Sequence, residues 1–296
     1  MLSFKFQITE FRADIVLLFT AVVWGASLLP MSNAADSNDV FTILFWRFFI
    51  SFFIMGAVAL KFDKKFDKNS IKYGLILGLF LFLGFTSQTF ALTHTYSSSV
   101  SFISGLNVAV VPFVVFLIFR RKIYIQAYVG IVLGSIGLYF LTDSKVGFGL
   151  GEALSLVCAF SWALHIVFTS EFVKKCETFT LITTQFAVIF ILSAIFGIGS
   201  HGSIVPILDD DFYKVMFITI AFSTIFGFIM QSVMLAHTSP IKAALLFTFE
   251  PVTAGFLGYF IGNEHLTGLQ IFGGIIIIAG ILISEIGSYI NNKRAN

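Results

Sequence analysis

Long apolar segments recur along the whole chain and are separated by short polar connections. A bilayer core about 30 Å thick is crossed by a helix of about 20 apolar residues. The pattern predicts ten spans at that scale, near residues 13–31, 41–60, 71–91, 98–119, 124–141, 150–169, 180–199, 214–235, 242–262 and 269–288. No connection is long enough to hold a separate soluble domain.

The apolar segments are predicted to be helices. Residues 71–83, apart from Lys72, and residues 271–283 are apolar throughout, whereas the strands of a membrane barrel alternate between polar and apolar positions. Glycines recur inside the segments, and small residues at such positions let helix backbones approach closely. The fold class is therefore an all-α integral membrane protein.

Composition agrees with lipid as the solvent. Of the 296 residues, 57% are hydrophobic and 11% are charged, whereas a soluble domain carries about 25% charged residues. The formal net charge of +2 provides no dense basic face for nucleic acid. The two cysteines, Cys158 and Cys176, form no disulfide framework and are expected to be free thiols.

The distribution of basic residues predicts the orientation. With the N-terminus in the cytoplasm, most of the 18 lysines and arginines fall on the cytoplasmic side. Only Arg47, Lys145 and Lys214 fall on the other side. The positive-inside rule then places both termini in the cytoplasm of a bacterial inner membrane.

The two halves of the sequence resemble each other. Equivalent positions include Trp24 and Trp162, Arg47 and Gln185, Gln88 and Gln231, Pro112 and Pro251, Gly130 and Gly273, and Gly137 and Gly280. Each half, 1–145 and 146–296, holds five predicted spans. The second half then enters the membrane from the opposite side, which makes an inverted repeat.

Several motifs carry a family resemblance. They are Trp24-Gly25-Ala26-Ser27 and Tyr96-Ser97-Ser98-Ser99 in the first half, and Glu250-Pro251-Val252, Gly262-Asn263-Glu264-His265 and Gly273-Gly274 in the second. In this order they resemble the EamA family of the drug/metabolite transporter superfamily. The resemblance implies ten helices in two inverted five-helix repeats, and transport, often export, of amino acids or other metabolites. Asn263 separates the glycine and glutamate that the family usually places side by side.

Glu250 is the clearest ionisable residue at membrane depth. It lies about eight residues into the ninth predicted span, roughly 12 Å deep at 1.5 Å per residue, and such residues are candidates for function. Pro251 lacks an amide N–H and is expected to kink the helix beside it. Glu250 is a candidate binding point or proton carrier, and helix packing is the alternative. Pro112 is the first-half counterpart of Pro251.

Aromatic and amide side chains complete the predicted substrate site. Trp162 and His165 lie one turn apart on one helix face. The full set of substrate-binding candidates is Trp24, Phe85, Gln88, Asn107, Trp162, His165, Gln185 and Gln231. Each has a structural alternative, because buried amides and imidazoles also join helices by hydrogen bonds. Arg47 either attracts an anion or extends its charge to the membrane surface.

Motifs for other chemistry are missing from the sequence. It contains no Walker loop, no His-Glu-x-x-His pair and no nucleophile–base constellation, so we expect no ATP drive, cofactor, metal or enzymatic activity. The leading hypothesis is a secondary transporter that works by alternating access, either coupled to protons or passive. An intramembrane lipid-modifying enzyme and a non-transporting scaffold are the alternatives. Oligomeric state does not follow from the sequence.

Overall fold

The computed structural model describes residues 9–63, 67–120, 125–141, 148–238, 243 and 246–295. In this part of the chain every regular element is helical, and there is no β-strand. The helices are Glu10–Ser37 (α1), Val40–Phe62 (α2), Lys68–Leu92 (α3), Ser97–Ser104 (α4), Asn107–Phe119 (α5), Ile125–Leu141 (α6), Leu150–Phe172 (α7), Thr178–His201 (α8), Asp210–Phe217 (α9), Gly227–Leu235 (α10), Phe249–Phe260 (α11) and Gly268–Ala295 (α12). A π-helical segment, Ile218–Phe226, joins α9 to α10.

Seven helical stretches in the described residues are long and apolar enough to cross a membrane: Phe11–Ser37, Val40–Phe62, Lys68–Leu92, Ser97–Ile118, Leu150–Phe172, Thr178–Ser200 and Asp210–Leu235. Two shorter apolar helices cover Tyr128–Gly137 and Gly268–Gly280. An all-helical, multi-pass membrane protein is therefore confirmed. A helix overlaps each of the ten predicted segments, but the count of ten crossings stays a prediction.

Three predictions fall partly outside the described residues. The ninth span is predicted to begin at residue 242, but residues 239–242 and 244–245 are not among those described. The predicted boundary between the halves, at 145 and 146, also lies outside them. The same holds for Lys5, Lys64, Lys65, Arg121, Lys122, Lys145 and Lys242 among the basic residues that predict orientation.

Aspartates at the helix starts explain where several helices begin. An Asp at the N-cap accepts hydrogen bonds from backbone N–H groups that have no partner inside the helix. Asp39 accepts from the N–H groups of Phe41 and Thr42 at the start of α2, at 2.9 and 3.1 Å. Asp209 accepts from the N–H of Phe212 at the start of α9, at 2.7 Å.

The fourth predicted span is two helices, with a break at Gly105 and Leu106. The N–H of Gly105 closes α4 on the carbonyl of Ser101 at 2.9 Å. Pro112 lies inside α5, where its missing N–H leaves the carbonyl four residues earlier without its helical partner. A membrane-spanning segment whose helical hydrogen bonding is interrupted exposes backbone groups only where other helices or a cavity cover them.

Glycines bring α6 and α12 into close contact. A Cβ added to Gly137 would lie 2.7 Å from the carbonyl oxygen of Gly273, and one added to Gly280 would lie 2.8 Å from that of Gly130. Because Cβ atoms do not approach carbonyl oxygens so closely, Gly137 and Gly280 allow this crossing where any larger residue would prevent it. The pairing of Gly137 with Gly273 and of Gly280 with Gly130 also shows that the two helices run antiparallel.

Candidate functional site: a central cavity

A cavity lies at the centre of the helices. Its wall takes side chains from α1, α2, α3 and α5 in the first half of the chain. The second half contributes side chains from α7, the π-helical segment, α10 and α11, together with Phe247.

Most of the predicted site residues meet at this cavity. Those that line it are Trp24, Arg47, Phe85, Gln88, Asn107, Trp162, Gln231 and Glu250. Those that do not are Pro112, His165, Gln185 and Pro251. Polar and aromatic residues of the apolar segments, far apart in sequence, are therefore brought together at one place.

Aromatic rings form one part of the wall. Trp24 and Trp162 are stacked, with ring centroids 6.3 Å apart and planes inclined by 29°. Phe85 meets Trp162 edge-on at 5.0 Å, and Phe247 packs against Trp24 at 5.2 Å. The indole N–H of Trp24 donates to the backbone carbonyl of Ser223 at 2.8 Å, which fixes the ring between α1 and the π-helical segment. The rings offer flat apolar surface to a solute.

The aromatic core repeats itself across the two halves. Positions related by the sequence repeat contact their own counterparts: Trp24 with Trp162 at 6.3 Å, Phe48 with Phe186 at 5.4 Å, and Phe85 with Phe228 at 6.0 Å between centroids. The cavity therefore lies where the two sequence repeats meet.

Amide atoms of two side chains in the wall lack hydrogen-bond partners in the described part of the protein. Neither the amide oxygen nor the amide nitrogen of Gln231 has a partner in the described part of the protein, and this residue is 0% exposed. The Oδ1 atom of Asn107 is also without one. Buried amide groups are normally hydrogen-bonded, because leaving them unpaired costs free energy. Unpaired amides in a cavity wall are suited to a polar ligand.

Arg47 places a positive charge at the cavity wall. Its side chain is 2% exposed, so it does not extend to the membrane surface, which was one of the two expectations for it. Its Nε donates to the Thr224 hydroxyl at 2.7 Å and its Nη2 to the Ser223 hydroxyl at 3.2 Å. Its Cζ lies 4.6 Å from the centroid of Phe85. These contacts hold the guanidinium rigidly at the cavity.

Glu250 places a carboxylate at the cavity wall from α11, in the second half of the chain. Among the described residues it makes neither a hydrogen bond nor an ion pair, and so it is not paired with Arg47. Its backbone packs tightly on α1, because a Cβ added to Gly25 would lie 2.4 Å from the Glu250 carbonyl oxygen. The Glu250 side chain is part of the cavity wall.

His165 and Gln185 lie behind the wall and bind each other. The His165 Nε2 and the Gln185 Oε1 are 2.9 Å apart, and the Gln185 amide nitrogen donates to the Leu181 carbonyl at 3.2 Å. Both residues are almost fully buried. This is the interhelical hydrogen bond that was the structural alternative for them, and a role in binding stays a prediction.

The two prolines support the helices around the cavity. Pro251 lies in the first turn of α11, where a missing N–H removes no helical hydrogen bond. Its ring packs against the break between α4 and α5, since a Cβ at Gly105 would lie 3.3 Å from the Pro251 Cγ. Pro112 lies within α5. The predicted kink beside Glu250 corresponds to the start of α11.

Sequence reasoning missed several wall residues. Ser27 follows Trp24 by three residues, and Phe247 precedes Glu250 by three, so helical spacing from the predicted residues could have found both. Thr89 is the neighbour of Gln88. Ser223 carries no such signal, because it reaches the wall from a π-helical segment that apolar periodicity does not reveal.

Glu264 joins the two halves away from the cavity. Its carboxylate is 6% exposed and accepts hydrogen bonds from the backbone N–H groups of Ser97 and Ser98, at 2.9 and 3.2 Å, and from both serine hydroxyls. Ser97 and Ser98 begin α4, and a carboxylate at a helix N-terminus is stabilised by the helix dipole. Although Asn263 separates Glu264 from the preceding glycine, Glu264 caps a helix that belongs to the other half of the chain.

The fold and the cavity define a polytopic membrane protein with a central chamber between its two halves. The family model of the EamA-like transporter family matches residues 11–143 and 149–285. The chain belongs to this family and is a membrane transporter, as the sequence resemblance indicated.

Similar proteins agree with this assignment. Two relatives from the archaeon Archaeoglobus fulgidus, both described as uncharacterized transporters, are 28% and 24% identical; each alignment covers 92% of this chain, and 85% and 95% of the relative. An uncharacterized transporter of Clostridium kluyveri is 25% identical over 96% of this chain and 95% of its own length. A solved crystal structure aligns with 93% of this chain and 98% of its own, with a TM-score of 0.69 and 14% identity, which shows the shared fold.

Proposed function

We propose that this protein is a secondary transporter, in the exporting direction, that moves small organic metabolites such as amino acids across a bacterial inner membrane by alternating access. The observation that carries this proposal is the central cavity, whose wall both halves of the chain provide. Stacked aromatic rings, unpaired amides and one residue of each charge give it the means to hold a small polar solute with an apolar body. The family and its similarly named relatives support transport as the activity.

Alternating access requires two halves that exchange conformations around one site. We infer ten membrane-spanning segments in two inverted five-helix repeats, 1–145 and 146–296. The packing supports this, because contacts come in pairs that interchange when the halves are exchanged. The contact of α3 with α7 corresponds to that of α1 with α10, and the contact of α5 with α7 to that of α1 with α11.

The glycine crossing supports the same arrangement. The sequence repeat relates Gly130 to Gly273 and Gly137 to Gly280. In the structure Gly137 faces Gly273 and Gly280 faces Gly130, so exchanging the halves reproduces both contacts. An antiparallel pair of equivalent helices is what an inverted repeat requires. With this arrangement and the charge distribution, both termini lie in the cytoplasm.

Counterflow in proteoliposomes tests the proposed activity. Vesicles that contain the purified protein are loaded with a pool of unlabelled amino acids and other metabolites, and the entry of traces of labelled members is followed. Accumulation that requires the protein establishes transport and identifies the solute class. If folded protein gives no accumulation with this pool or with a broader second pool, the proposed transport mechanism is wrong. The lipid-modifying enzyme and the non-transporting scaffold then become the better hypotheses.

Proton coupling is a separate part of the proposal and depends on Glu250. A carboxylate in the cavity wall that has no ion-pair partner among the described residues is suited to exchange a proton during the cycle. A pH gradient across the same vesicles is expected to drive transport by the native protein and not by Glu250→Gln. If the variant retains pH-driven transport, Glu250 is not the proton carrier and passive exchange becomes the simpler mechanism.

A further inference from the structure

Arg47 is a buried cation whose partners are all neutral in the described part of the protein. Its hydrogen bonds go to the hydroxyls of Ser223 and Thr224, and its guanidinium lies over the rings of Phe85 and Phe48. Burying a charge is costly unless an opposite charge compensates it. A guanidinium has five N–H donors, of which these bonds use two, so donors remain for an anionic group of a ligand.

Glu250 is the matching observation on the other half. Its carboxylate lines the same cavity and is not in an ion pair with Arg47 or with any other described residue. The two opposite charges line one cavity and belong to different helices, α2 and α11. A solute can therefore lie between the two charges and compensate both.

The remaining wall gives the solute a body and a polar edge. Trp24 and Trp162 present stacked rings to the cavity, and both amide atoms of Gln231 are without partners among the described residues. The amide oxygen can accept from an ammonium group, and the amide nitrogen can donate to a carboxylate. The unpaired Gln231 amide indicates a polar ligand independently of the two charges.

We propose that Arg47 and Glu250 determine which solutes the cavity accepts: Arg47 binds an anionic group, Glu250 binds a cationic group, and the aromatic rings hold an apolar body beside them. The ligand class is a zwitterion with an apolar side group. This assignment rests on the proposed function and adds the specificity-determining residues and the orientation of the solute. Arg47 holds the anionic end toward α2 and the π-helical segment, and Glu250 holds the cationic end toward α11.

Solutes with one charge fit this wall less well. A monoanion compensates Arg47 but leaves the carboxylate of Glu250 uncompensated, and a monocation leaves the guanidinium uncompensated. In an interior of low dielectric constant, an uncompensated charge opposes binding strongly. The cavity therefore discriminates by charge pattern before it discriminates by the shape of the side group.

Matched sets of solutes test the charge pattern directly. Purified full-length protein in detergent is heated with phenylalanine, with 3-phenylpropionate, which lacks the amine, and with 2-phenylethylamine, which lacks the carboxylate. A second set consists of leucine, 4-methylpentanoate and 3-methylbutylamine, and the other standard amino acids complete the panel. A ligand that binds only the folded protein raises its melting temperature. We expect at least one zwitterion to act at concentrations about tenfold or more below those of both of its singly charged analogues.

Two variants assign the ends of the solute. Arg47→Gln introduces the residue that occupies the equivalent position 185, and it is expected to weaken zwitterion binding about tenfold or more while binding of the amine is unchanged or stronger. Glu250→Gln is expected to weaken zwitterion binding as well, while binding of the carboxylate analogue is unchanged or stronger. Arg47→Lys keeps the charge and should recover part of the affinity. Arg120→Gln, the same chemical change at an exposed residue, is the control.

The outcomes separate this inference from the proposed function. A panel in which no zwitterion stabilises the protein, or in which a singly charged analogue binds best, overturns the inference. Equal losses for all three solutes of a set in Arg47→Gln also overturn it, because they indicate a structural role only. Counterflow of a singly charged or neutral solute keeps the transporter and removes the inference. Binding of zwitterions without any counterflow keeps the inference and removes the proposed transport.

Discussion

Two buried glutamines show how differently the same side chain is used at the residue scale. In Gln185 both amide atoms are hydrogen-bonded, to His165 and to the Leu181 carbonyl. In Gln231 neither amide atom has a partner among the described residues. Both residues are essentially inaccessible to solvent. Gln185 therefore stabilises the protein itself, whereas Gln231 retains hydrogen-bonding capacity for a solute.

Replacing Gln231 by methionine should stabilise the protein and impair transport. The change removes an unpaired amide at similar volume, and such a group costs roughly 1–3 kcal/mol when buried. We expect a higher melting temperature in the absence of solute, together with counterflow at least about tenfold slower. Both are measured on the same preparation.

The control for this variant is Gln185→Met, which breaks two hydrogen bonds and leaves the His165 Nε2 with only the longer contact to the Thr169 hydroxyl, at 3.3 Å. It should lower the melting temperature. If both variants are destabilised alike, Gln231 is bonded within the protein during most of its lifetime and does not reserve its amide for a solute.

The sequence predicts the residues of the cavity better than it predicts their partners. Polar residues are rare in apolar spans, and this rarity singled out Gln88, Gln231, Asn107 and Glu250, all of which line the cavity. Rarity could not show that His165 and Gln185 bind each other, because that depends on how α7 and α8 pack. Charge density also could not show that Arg47 turns inward, since the same residue near a helix end can extend outward.

At the scale of helices, Glu264 connects an early element to a late one. Its carboxylate, between α11 and α12, takes the hydrogen bonds of the first residues of α4, which belongs to the other half of the chain. Gly258 makes room for it, because a Cβ there would lie 2.4 Å from the Glu264 carboxylate. The start of α4 is therefore fixed by a side chain that lies far away in sequence.

Glu264→Gln is expected to lower the stability by about 1–3 kcal/mol. The amide carries no charge for the N-terminus of α4, and its NH₂ group faces a backbone N–H that needs an acceptor. The melting temperature of the purified variant measures this. Glu177→Gln is the comparison, since Glu177 precedes α8 without a side-chain cap hydrogen bond and its replacement should have little effect. Equal stability of Glu264→Gln and the native protein would contradict the capping role.

The sequence predicts where the helices lie, but it does not predict where a helix becomes irregular. Apolar length predicts the position of each helical segment, although α1 ends at Ser37 and α12 at Ala295, six and seven residues beyond the predicted ends. The π-helical segment Ile218–Phe226 is as apolar as its α-helical neighbours, so nothing in its composition distinguishes it. Pro112 signals disturbance in the fourth span, yet the break lies earlier, at Gly105, where Pro251 of another helix packs.

Orientation belongs to the scale of the whole molecule, and the protein carries a reporter for it. Cys176 is partly exposed in the connection between α7 and α8, and Cys158 is buried. The inferred arrangement places Cys176 on the cytoplasmic side. Burial raises the pKa of the Cys176 thiol, and a thiol reacts as its thiolate. Its reaction should therefore become faster as the pH rises toward that pKa.

A membrane-impermeant maleimide should label Cys176 in inside-out vesicles and not in intact cells, with a rate that increases with pH. The control is Ser203→Cys in a Cys158→Ala, Cys176→Ser background, because Ser203 lies in the connection between α8 and α9 on the opposite face in the inferred arrangement. It should show the reverse pattern. Labelling of both cysteines from the same side would contradict the inferred topology.

The sequence predicts a repeat, but it does not predict which equivalent positions contact each other. Spaced pairs such as Trp24 and Trp162 indicate two related halves, whereas their contact depends on how the halves come together. The relation between halves is a matter of tertiary packing, which the spacing of residues within one half does not encode.

The stacked pair of tryptophans has a consequence for spectroscopy. The chain contains three tryptophans, and two of them, Trp24 and Trp162, lie face to face at the cavity. The third, Trp46, donates its indole N–H to the Ile204 carbonyl at 2.9 Å and does not line the cavity. In a Trp46→Phe variant all indole emission would come from the cavity wall. The native fluorescence of this protein would then report, without any label, when a solute enters and leaves.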